Sequence, residues 1–505
     1  MKKVLMGVLS LGLLLGAATG CTSDQEKAAG KTKASSEKTE ATSGASANGY
    51  TDPSELKDSY DVVIVGSGGA GMTAALQAKE AGMNPVILEK MPVAGGNTIK
   101  SSSGMNASQT KFQEKEGIKD SNDKFFEETL KGGKGTNDQE LLRYFVDHSA
   151  EAIDWLDTKG ITLSNLTITG GMSEKRTHRP ADGSAIGGYL VDGLVRNVRE
   201  EKIPLFVDAD VTDLVEENGQ IDGVKVKMKD DKEKTVKAKA VVVTTGGFGA
   251  NEKLITQYKP ELKNYVTTNQ EGTTGDGIQM IQKVGGALVD MKEIQIHPTV
   301  QQSDAFLIGE AVRGEGAILA SQKGERFVNE LDTRDKVSAA INALPEKSAY
   351  LVFDQGVRDR AKAIDFYDQK GFVEKGETIE ELAEKIGIPA DTLKATIDTW
   401  NQDVNAKDDK QFGRTTGMEA DLSTAPYYAI KIAPGIHHTM GGVKINTKTE
   451  VLREDGTPIK GLYAAGELTG GLHGQNRIGG NAIADIIIYG RQAGTQSAEF
   501  ASAQK

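Results

Sequence analysis

The chain has 505 residues, of which 38% are hydrophobic and 26% charged, enough for two or three domains or for one large domain with an insertion. Its net charge of −12 argues against nucleic acid as a partner, because phosphate binding needs a concentrated basic surface. The single cysteine, Cys21, excludes a disulfide framework, a thiolate metal site and the CxxCH attachment of c-type haem. We therefore predict no metal, and we expect any redox chemistry to use an organic cofactor.

The first 21 residues have the layout of a secretory signal peptide. Lys2 and Lys3 precede an apolar run over residues 4–18, which is shorter than the roughly 20 residues of a membrane-spanning helix. ATGC at residues 18–21 resembles the bacterial lipobox, in which a lipid is attached to the cysteine. We expect residues 1–21 to be a lipoprotein signal peptide and Cys21 to anchor the protein on the extracytoplasmic face of the cell membrane. A plain secretory peptide with an incidental cysteine is the alternative.

Residues 22–57 are rich in Lys, Glu, Ser, Ala, Thr and Gly and nearly empty of large apolar side chains. Such a segment buries too little surface to offset its chain entropy, so we predict a flexible linker. Within it, TSGAS at residues 42–46 resembles the site at which a dedicated FMN transferase attaches FMN to the last hydroxyl residue. The motif predicts covalent FMN on Ser46, and ordinary linker composition is the alternative.

The folded region is predicted to open with a dinucleotide-binding unit. A β-branched run at residues 61–65 is typical of a buried parallel strand. It leads into GSGGAG at residues 66–71, then into an Ala-rich helical stretch over residues 72–81 and a second strand over residues 85–89. Strand, GxGxxG, helix and strand in this order predict a Rossmann unit.

Each conspicuous residue of this unit has an expected task. Gly66 permits the tight turn, Gly68 lets the backbone approach a pyrophosphate, and Gly71 lets the helix pack on the strand. The pyrophosphate would lie at the helix N-terminus, where free N–H groups favour negative charge. Glu89, at the end of the second strand, is placed to bind ribose hydroxyls.

Further segments favour FAD over NAD. Residues 95–98 and 103–106 resemble the second flavin-contacting segment of FAD reductases, and residues 461–467 resemble the late strand and turn that close such a site. Residues 241–248 are typical of a central strand and turn, and residues 274–277 of another loop of the site. We predict non-covalent FAD, with contacts from Lys90, Gly96, Asn97, Thr98, Gly104, Met105, Thr245, Gly246, Asp276, Gly466 and Glu467.

Five motifs follow in the second half of the chain: IHPT at 296–299, EAVRGEGA at 310–317, RFVNE with TRD between 326 and 335, HHTMGG at 437–442 and NRIGGNA at 476–482. With them, the chain from about residue 60 to 498 resembles the flavoprotein domain of soluble fumarate reductases of the flavocytochrome c type. These belong to the superfamily of succinate dehydrogenase flavoproteins.

The resemblance implies an α/β fold. A Rossmann-type FAD-binding domain would be split into residues 58–291 and 438–505. An α+β capping domain over residues 292–437 would be inserted between the two parts, and its movement would admit substrate and then exclude water.

The chemistry of alkene reduction explains the residue types of these motifs. Hydride must reach one carbon and a proton the other, while the substrate is held against the flavin and its carboxylate is polarised. The resemblance implies substrate binding by His297, His437 and Arg477. It implies that Arg334 donates the proton, supplied through Glu310 and Arg313, and it places His438, Gly480, Asn481 and Ala482 at the flavin. The alternative is that these Arg and Glu residues form a buried ion-pair network that only braces the cap.

The function implied is reduction of fumarate to succinate as a terminal electron-acceptor reaction, with electrons from a quinol or flavin chain. One position departs from the family pattern: the hydroxyl residue that precedes the glutamate in fumarate-reducing members is Gly309 here. Reductases of another unsaturated acid, such as urocanate, methacrylate or a cinnamate, therefore stay open as alternatives. So do an oxidase or dehydrogenase working in reverse, and a tethered flavin protein that only carries electrons.

Overall fold

The computed structural model describes residues 49–504. Its strands are β1 (Ser59–Val65), β2 (Pro85–Leu88), β3 (Met105–Asn106), β4 (Asn165–Thr167), β5 (Thr177–Arg179), β6 (Leu205–Phe206), β7 (Ala209–Glu217), β8 (Gln220–Met228), β9 (Glu233–Val243), β10 (Leu288–Val289), β11 (Ile294–Gln301), β12 (Phe306–Leu307), β13 (Ile318–Ala320), β14 (Ala349–Asp354), β15 (Glu374–Gly376), β16 (Tyr427–Thr439), β17 (Gly442–Val443), β18 (Glu450–Leu452) and β19 (Pro458–Ala464).

The α-helices of the same residues are α1 (Gly69–Glu80), α2 (Lys111–Lys115), α3 (Asn122–Gly132), α4 (Gln139–Asp147), α5 (Ser149–Thr158), α6 (Ile186–Glu200), α7 (Glu252–Tyr258), α8 (Asp276–Lys283), α9 (Ala311–Gly314), α10 (Arg334–Ala343), α11 (Gln355–Arg360), α12 (Ala363–Gln369), α13 (Ile379–Ile386), α14 (Ala390–Ala406) and α15 (Asn481–Ala503). Short 3-10 helices occupy Pro53–Glu55, Gly96–Lys100, Pro260–Leu262 and Gly466–Leu468. No helix within residues 49–504 combines the length and apolar character needed to cross a bilayer.

The first sheet has a parallel centre in the order β19-β9-β1-β2-β6, and β7, β8 and β18 extend it with antiparallel pairs. The central strand β1 is buried from Val62 to Val65, as its β-branched run predicts. Helix α1 packs on this sheet and against α15, which arrives from the far end of the chain. The parallel sheet with packed helices confirms the predicted α/β class and the strand–helix–strand unit.

A second, antiparallel sheet of order β12-β11-β16-β14-β13, with β15 also on β16, forms between residues 294 and 439. Helices α9 to α14 belong to the same stretch, and a separate hydrophobic cluster runs from Ile308 to Ile432. The long strand β16 pairs with β14 and with β11, where Gln295 lies opposite His438. This pairing brings the start and the end of the inserted stretch together beside the first sheet.

The beginning of the described chain differs from the sequence expectation. Residues 49–57, assigned to the flexible linker, pack on the folded region: the Thr51 N–H donates to the Leu205 carbonyl at 3.0 Å, and Leu56 is buried. The Tyr50 hydroxyl accepts a hydrogen bond from the Ala94 N–H at 3.1 Å. Scattered apolar side chains such as Tyr50 and Leu56 find partners that lie far along the sequence. The rest of the predicted linker, Ser46 included, and the predicted signal peptide with Cys21 lie outside the described residues.

His178 is buried in the small sheet of β3, β4 and β5 as a neutral imidazole. Its Nδ1 lies 2.7 Å from the Arg176 carbonyl and must donate to it, so Nε2 accepts the Thr110 hydroxyl proton at 2.8 Å. Burial lowers the pKa of His178 to about 4, against the pull of its hydrogen bond to Arg176.

This shift has a consequence for acid stability. The unfolded chain binds a proton at His178 below about pH 6.5, while the folded protein does not until about pH 4, so its free energy of unfolding falls as the pH drops through this window. Between pH 6.5 and 5 this group should remove about 2 kcal/mol. Urea unfolding of the wild type and of His178→Asn at both pH values measures the difference. Equal pH dependence in the two proteins would contradict the assignment.

Candidate functional site

A cavity of about 770 Å³ opens at the carboxyl ends of the parallel strands β1, β2, β9 and β19. This is the edge at which ligands bind in open parallel α/β sheets. The loops that follow these strands supply its walls, which include Gly66, Gly68, Glu89, Lys90, Gly96, Asn97, Thr98, Thr245, Gly246, Asp276, Gly466 and Glu467. All of these are residues for which the sequence predicts FAD contacts.

Two glycines at the junction of β1 and α1, Gly66 and Gly71, have no room for a side chain. Gly66 has φ +101°, and a Cβ there would lie 2.7 Å from the Thr244 carbonyl oxygen. A Cβ on Gly71 would lie 2.0 Å from the Gly66 carbonyl oxygen, so the first turn of α1 rests directly on the end of β1. The helix N-terminus thereby faces the cavity, where its dipole and free N–H groups favour a phosphate.

Gly71→Ala should therefore lower FAD occupancy about tenfold, because the loop must shift to accept the methyl group. Gly188→Ala on α6 is the matched control, since a Cβ there meets nothing within 4 Å. The ratio of flavin to protein absorbance in the purified variants measures occupancy. Equal flavin content in both variants would show that the close approach at Gly71 does not matter.

Glu89 organises the loop as well as lining the cavity. Its Oε2 accepts hydrogen bonds from the Ser67 N–H at 2.8 Å and the Ser67 hydroxyl at 2.7 Å, and its Oε1 accepts one from the Met91 N–H. The neighbouring Lys90 forms an ion pair with Asp276 on the opposite wall. A ribose and its diphosphate fit between these groups and the N-terminus of α1.

A second cavity of about 570 Å³ continues the first, and the two share Asn97, Thr98, Glu467 and Ile486. Its further lining includes Lys100, Ser101, Thr268, Leu307, His437, His438, Arg477 and Ala482. Two contiguous cavities, one lined by glycines at a helix N-terminus and one by histidines and an arginine, fit an elongated flavin dinucleotide with an anionic ligand beyond it.

Five residues predicted to contact the cofactor line neither cavity: Gly71, Gly104, Met105, Gly480 and Asn481. Gly71 acts through helix packing. Met105 lies in β3 opposite His178, and Gly104 backs onto the same strand pair. Asn481 begins α15, where its side-chain oxygen accepts a hydrogen bond from Asn106 at 2.7 Å. These five residues support the residues that line the two cavities without lining the cavities themselves.

Arg477 brings a buried positive charge to the second cavity. Its Nη1 donates to the Ile478 carbonyl at 3.1 Å, while its Nε has no partner among the described residues. Burial, followed by the charge of Arg334, lowers the pKa of Arg477 well below its ordinary value, and Glu467 and Glu310 oppose this. A carboxylate ligand would relieve this unfavourable charge and satisfy the free N–H group.

His437 and His438 lie beside Arg477 and are held neutral. Burial, with contributions from Arg477 and Arg334, lowers the pKa of both imidazoles well below the usual value. The Nδ1 of His437 lies 2.8 Å from the Thr268 hydroxyl, whereas neither ring nitrogen of His438 has a partner among the described residues.

His297 faces His437 but does not line the cavity. The two ring centroids are 5.1 Å apart in an edge-on arrangement. The Thr299 N–H donates to Nδ1 of His297 at 3.2 Å, so its proton lies on Nε2, which is buried without a partner among residues 49–504. His297 thus presents a spare donor close to the ligand side of His437.

Arg334 and Glu310 form a buried, hydrogen-bonded ion pair behind the second cavity. Nε and Nη2 of Arg334 approach the same carboxylate oxygen of Glu310 at 2.9 and 2.8 Å, and Nη1 donates to the Gln295 side chain at 3.2 Å. The other Glu310 oxygen accepts the Gly170 N–H at 2.7 Å. Burial alone would raise the pKa of Glu310, but the charges of Arg334 and Arg313 hold it below its ordinary value.

Arg313 is placed differently from the simple chain that the sequence suggests. Its Nη1 donates to the Glu330 carbonyl at 2.6 Å, and its Nε and Nη2 have no partner among the described residues, so it makes no direct hydrogen bond to Glu310. Burial, opposed by Glu310, lowers the pKa of Arg313 to about 10. Arg313 therefore influences Glu310 through charge.

A second ion-pair network lies beneath Arg313. The Glu330 carboxylate accepts from Arg326 at 2.7 and 2.8 Å and from Arg414 at 3.2 Å, and Arg326 also pairs with Asp409 at 2.9 Å. All four side chains are almost fully buried. A buried ion-pair network thus adjoins the Arg334–Glu310 pair, and the Arg334→Ala variant tests whether that pair itself delivers a proton or only braces the structure.

Sequence reasoning gave no role to several residues that the structure brings to this site. Gln295 links Arg334 to the Arg477 carbonyl, to which its Nε2 donates at 2.7 Å. Thr268 and Lys100 line the second cavity. One signal in the sequence could have indicated that Gln295 belongs to the site. Gln295 lies two residues before His297 on a strand, where alternate side chains share a face.

The FAD binding domain family matches residues 61–483 of the chain. An NADH:fumarate oxidoreductase of Klebsiella pneumoniae (strain 342) is 54% identical over 444 residues, which cover 88% of this chain and 48% of that protein. A fumarate reductase (cytochrome) of Shewanella frigidimarina is 43% identical over 444 residues, covering 88% of this chain and 78% of that protein.

Among solved structures, the open conformation of a flavocytochrome c3 fumarate reductase matches with a TM-score of 0.72 at 40% identity, over 89% of this chain and 79% of that one. The chain spans about half the length of the Klebsiella relative. The predicted FAD cofactor and the predicted resemblance to fumarate reductase flavoproteins are confirmed. The chain belongs to the FAD-binding family and is an FAD-dependent oxidoreductase of the group that includes the fumarate reductases.

Proposed function

We propose that this protein is an extracytoplasmic fumarate reductase that converts fumarate to succinate as a terminal electron-acceptor reaction. One observation carries the proposal. Arg477 and His437 line the cavity that continues the FAD site, and the buried Arg334–Glu310 pair lies behind them, joined to Arg477 through Gln295. Anion binding and proton delivery therefore meet at the end of the flavin cavity.

Arg477 and His437 bind one carboxylate of the substrate in this proposal. The free Nε–H of Arg477 offers a charge-assisted hydrogen bond. If the Thr268 hydroxyl donates to Nδ1 of His437, Nε2 carries the proton and adds a second donor. These donors draw electron density from the conjugated double bond, which favours hydride addition at the alkene carbon farther from this carboxylate and leaves the nearer carbon to take the proton.

Bound FAD supplies the hydride for one alkene carbon. Arg334 supplies the proton for the other and rests as the charged acid, held by Glu310. An arginine is a weak acid, so a neutral guanidine must not accumulate. Glu310 rests as a carboxylate, so it must take a proton from Arg313 through a bridging group as it passes one to Arg334, whose Nε and Nη2 it contacts. Arg313, with its lowered pKa, then regains its proton from solvent.

The proposal also includes membrane attachment through Cys21 and electron supply through Ser46. A lipid on Cys21 would hold the protein at the membrane surface, and FMN placed on Ser46 by an FMN transferase would receive electrons from a quinol or flavin chain and pass them to FAD. The anchoring of Tyr50 to Ala94 supports this route, because Ala94 lies two residues before Gly96 of the FAD cavity. The four residues from Ser46 to Tyr50 span at most about 14 Å.

Intact mass of the mature full-length protein tests the flavin attachment. Wild type should carry the added mass of FMN, and Ser46→Ala should lack it. The variant should retain fumarate reduction with reduced methyl viologen and lose it with the quinol chain. An unmodified wild-type linker peptide would remove FMN from the proposal and leave the FAD chemistry intact.

Reduction of another unsaturated acid is the second candidate, and Gly309 favours it because no side chain at that position contacts the substrate. Anaerobic reoxidation of reduced methyl viologen with fumarate, urocanate, methacrylate and cinnamate separates the candidates. Turnover with fumarate alone supports the proposal. Turnover with a different acid would show that this acid, and not fumarate, is the substrate. No turnover with any of the acids would indicate a protein that only carries electrons on its flavin. Rapid oxygen consumption with succinate instead would indicate an oxidase.

A further inference from the structure

The space beside Gly309 is already filled by another part of the chain. A Cβ built on Gly309 would lie 2.7 Å from the Ser102 hydroxyl oxygen, 3.0 Å from the Ser102 Cβ and 3.2 Å from the Tyr367 hydroxyl oxygen. Position 309 is glycine because Ser102, 207 residues earlier, occupies the volume its side chain would need. Two hydroxyl groups therefore stand next to the backbone that immediately precedes Glu310.

The Ser102 hydroxyl is buried and makes no hydrogen bond of good geometry to any residue within 49–504, and its one polar contact is with the Tyr367 hydroxyl, whose pKa this contact lowers against the larger effect of burial. The Ser102 residue is 8% exposed. A buried hydroxyl that lacks a well-formed hydrogen bond is unfavourable, so a ligand that pairs with it would be bound more tightly. The Tyr367 hydroxyl is buried too and accepts the Gly309 N–H at 3.0 Å, which leaves its own proton to donate.

These hydroxyl groups lie behind the lining of the second cavity, next to residues that line it. Ser101 and Leu307, the near neighbours of Ser102 and Gly309, both line this cavity together with Arg477 and His437. The Ile308 N–H donates to the Thr299 carbonyl, which brings this segment next to His297, whose Nε2 has no partner among the described residues. Polar groups with hydrogen-bonding capacity to spare thus gather near the cavity that Arg477 lines.

We propose that Ser102, positioned by Tyr367, binds the second carboxylate of a dicarboxylate substrate, and that it selects dicarboxylates over monocarboxylates. This inference rests on the proposed function, since it concerns the same cavity. Arg477 and His437 hold one carboxylate, and the Ser102 hydroxyl donates to the other. The Ser102 hydroxyl comes from the loop between the Gly96–Lys100 helix and β3. It fits there because Gly309 has no side chain in that volume.

Ser102→Gly is the primary test, made in the full-length protein. Loss of one hydrogen bond to a charged group should raise KM for fumarate about 10- to 100-fold, with kcat changed less than threefold. Reduction of acrylate, which lacks the second carboxylate, should keep its wild-type kcat/KM. Ser303→Ala, an exposed hydroxyl between β11 and β12, is the matched control and should leave both substrates unchanged.

A reciprocal pair of variants distinguishes loss of the hydroxyl group from general damage to the fold. Gly309→Ser alone places a Cβ against Ser102 and should impair fumarate binding. In Ser102→Gly/Gly309→Ser the obstructing atoms are gone and a hydroxyl returns from the other side, so KM for fumarate should recover at least tenfold relative to Ser102→Gly. Tyr367→Phe should raise KM for fumarate without lowering the kcat/KM for acrylate. Tyr350→Phe, in the same hydrophobic cluster, should leave KM for fumarate unchanged.

Equal losses for fumarate and acrylate in Ser102→Gly, or no recovery in the double variant, would overturn the assignment. A wild-type protein that reduces no unsaturated acid would instead refute the proposed function. A wild type that reduces fumarate but not acrylate makes the double variant the deciding measurement, because recovery supports and its absence contradicts the role of Ser102.

Discussion

Replacing Arg334 with alanine is expected to lower kcat for fumarate reduction by about 10³-fold, within the range that a general acid contributes. The variant removes the group that delivers the proton and leaves Glu310 buried without its main counter-charge. FAD contacts lie in the other cavity walls, so flavin content should stay at the wild-type level. Anaerobic reoxidation of reduced methyl viologen measures the rate.

Lys336→Ala is the matched control for this variant. Lys336 lies on the same helix, α10, but its side chain is 64% exposed and pairs with the surface residue Asp332. The control should retain wild-type turnover. Comparable loss in both variants would indicate damage to α10, and near-normal turnover of Arg334→Ala would show that another group delivers the proton.

Glu330→Gln is expected to lower the free energy of unfolding by about 3–5 kcal/mol, the range for breaking a buried ion pair. The change removes the negative charge shared by Arg326 and Arg414, which are both buried. Burial raises the pKa of Glu330, but Arg326 and Arg414 hold it below the ordinary value. The stabilisation is therefore present near neutral pH and is lost as the pH falls through the lowered pKa.

Glu381→Gln on α13 is the control for this loss. Its pair with Lys385 is exposed on both sides, and such pairs contribute at most about 1 kcal/mol. Urea unfolding at pH 7 compares the two variants. A loss at Glu330 no larger than that at Glu381 would show that Arg326 and Arg414 are satisfied by Asp409 and backbone carbonyls alone.

The sequence predicted the FAD half of the molecule well because its signals are local. The run at residues 61–65, the glycines 66, 68 and 71, and Glu89 all lie within one strand–helix–strand unit whose geometry is fixed by steric requirements. The residues Asn97, Thr245 and Gly466, predicted to contact the cofactor, line the cavity and come from segments that follow strands of the same sheet.

The substrate end was predicted only in part, because its contacts join distant segments. The Gly309 departure is visible in sequence, but Ser102 becomes its explanation only when two loops meet in space. The hydrogen-bond path from Arg334 through Gln295 to Arg477 depends on the pairing of β11 with β16. Likewise, the sequence does not show whether Arg313 forms a hydrogen bond with Glu310 or acts on it only through its charge.

The central claim is that reduced flavin in this protein passes its electrons to fumarate. Full-length protein should be reduced anaerobically with one equivalent of dithionite per flavin and mixed with excess fumarate, and FAD absorbance should be followed with time. The account predicts full reoxidation in the wild type with one succinate formed per reduced flavin, and reoxidation slowed about 10³-fold in Arg334→Ala. Flavin that stays reduced in the wild type after fumarate is added would contradict it.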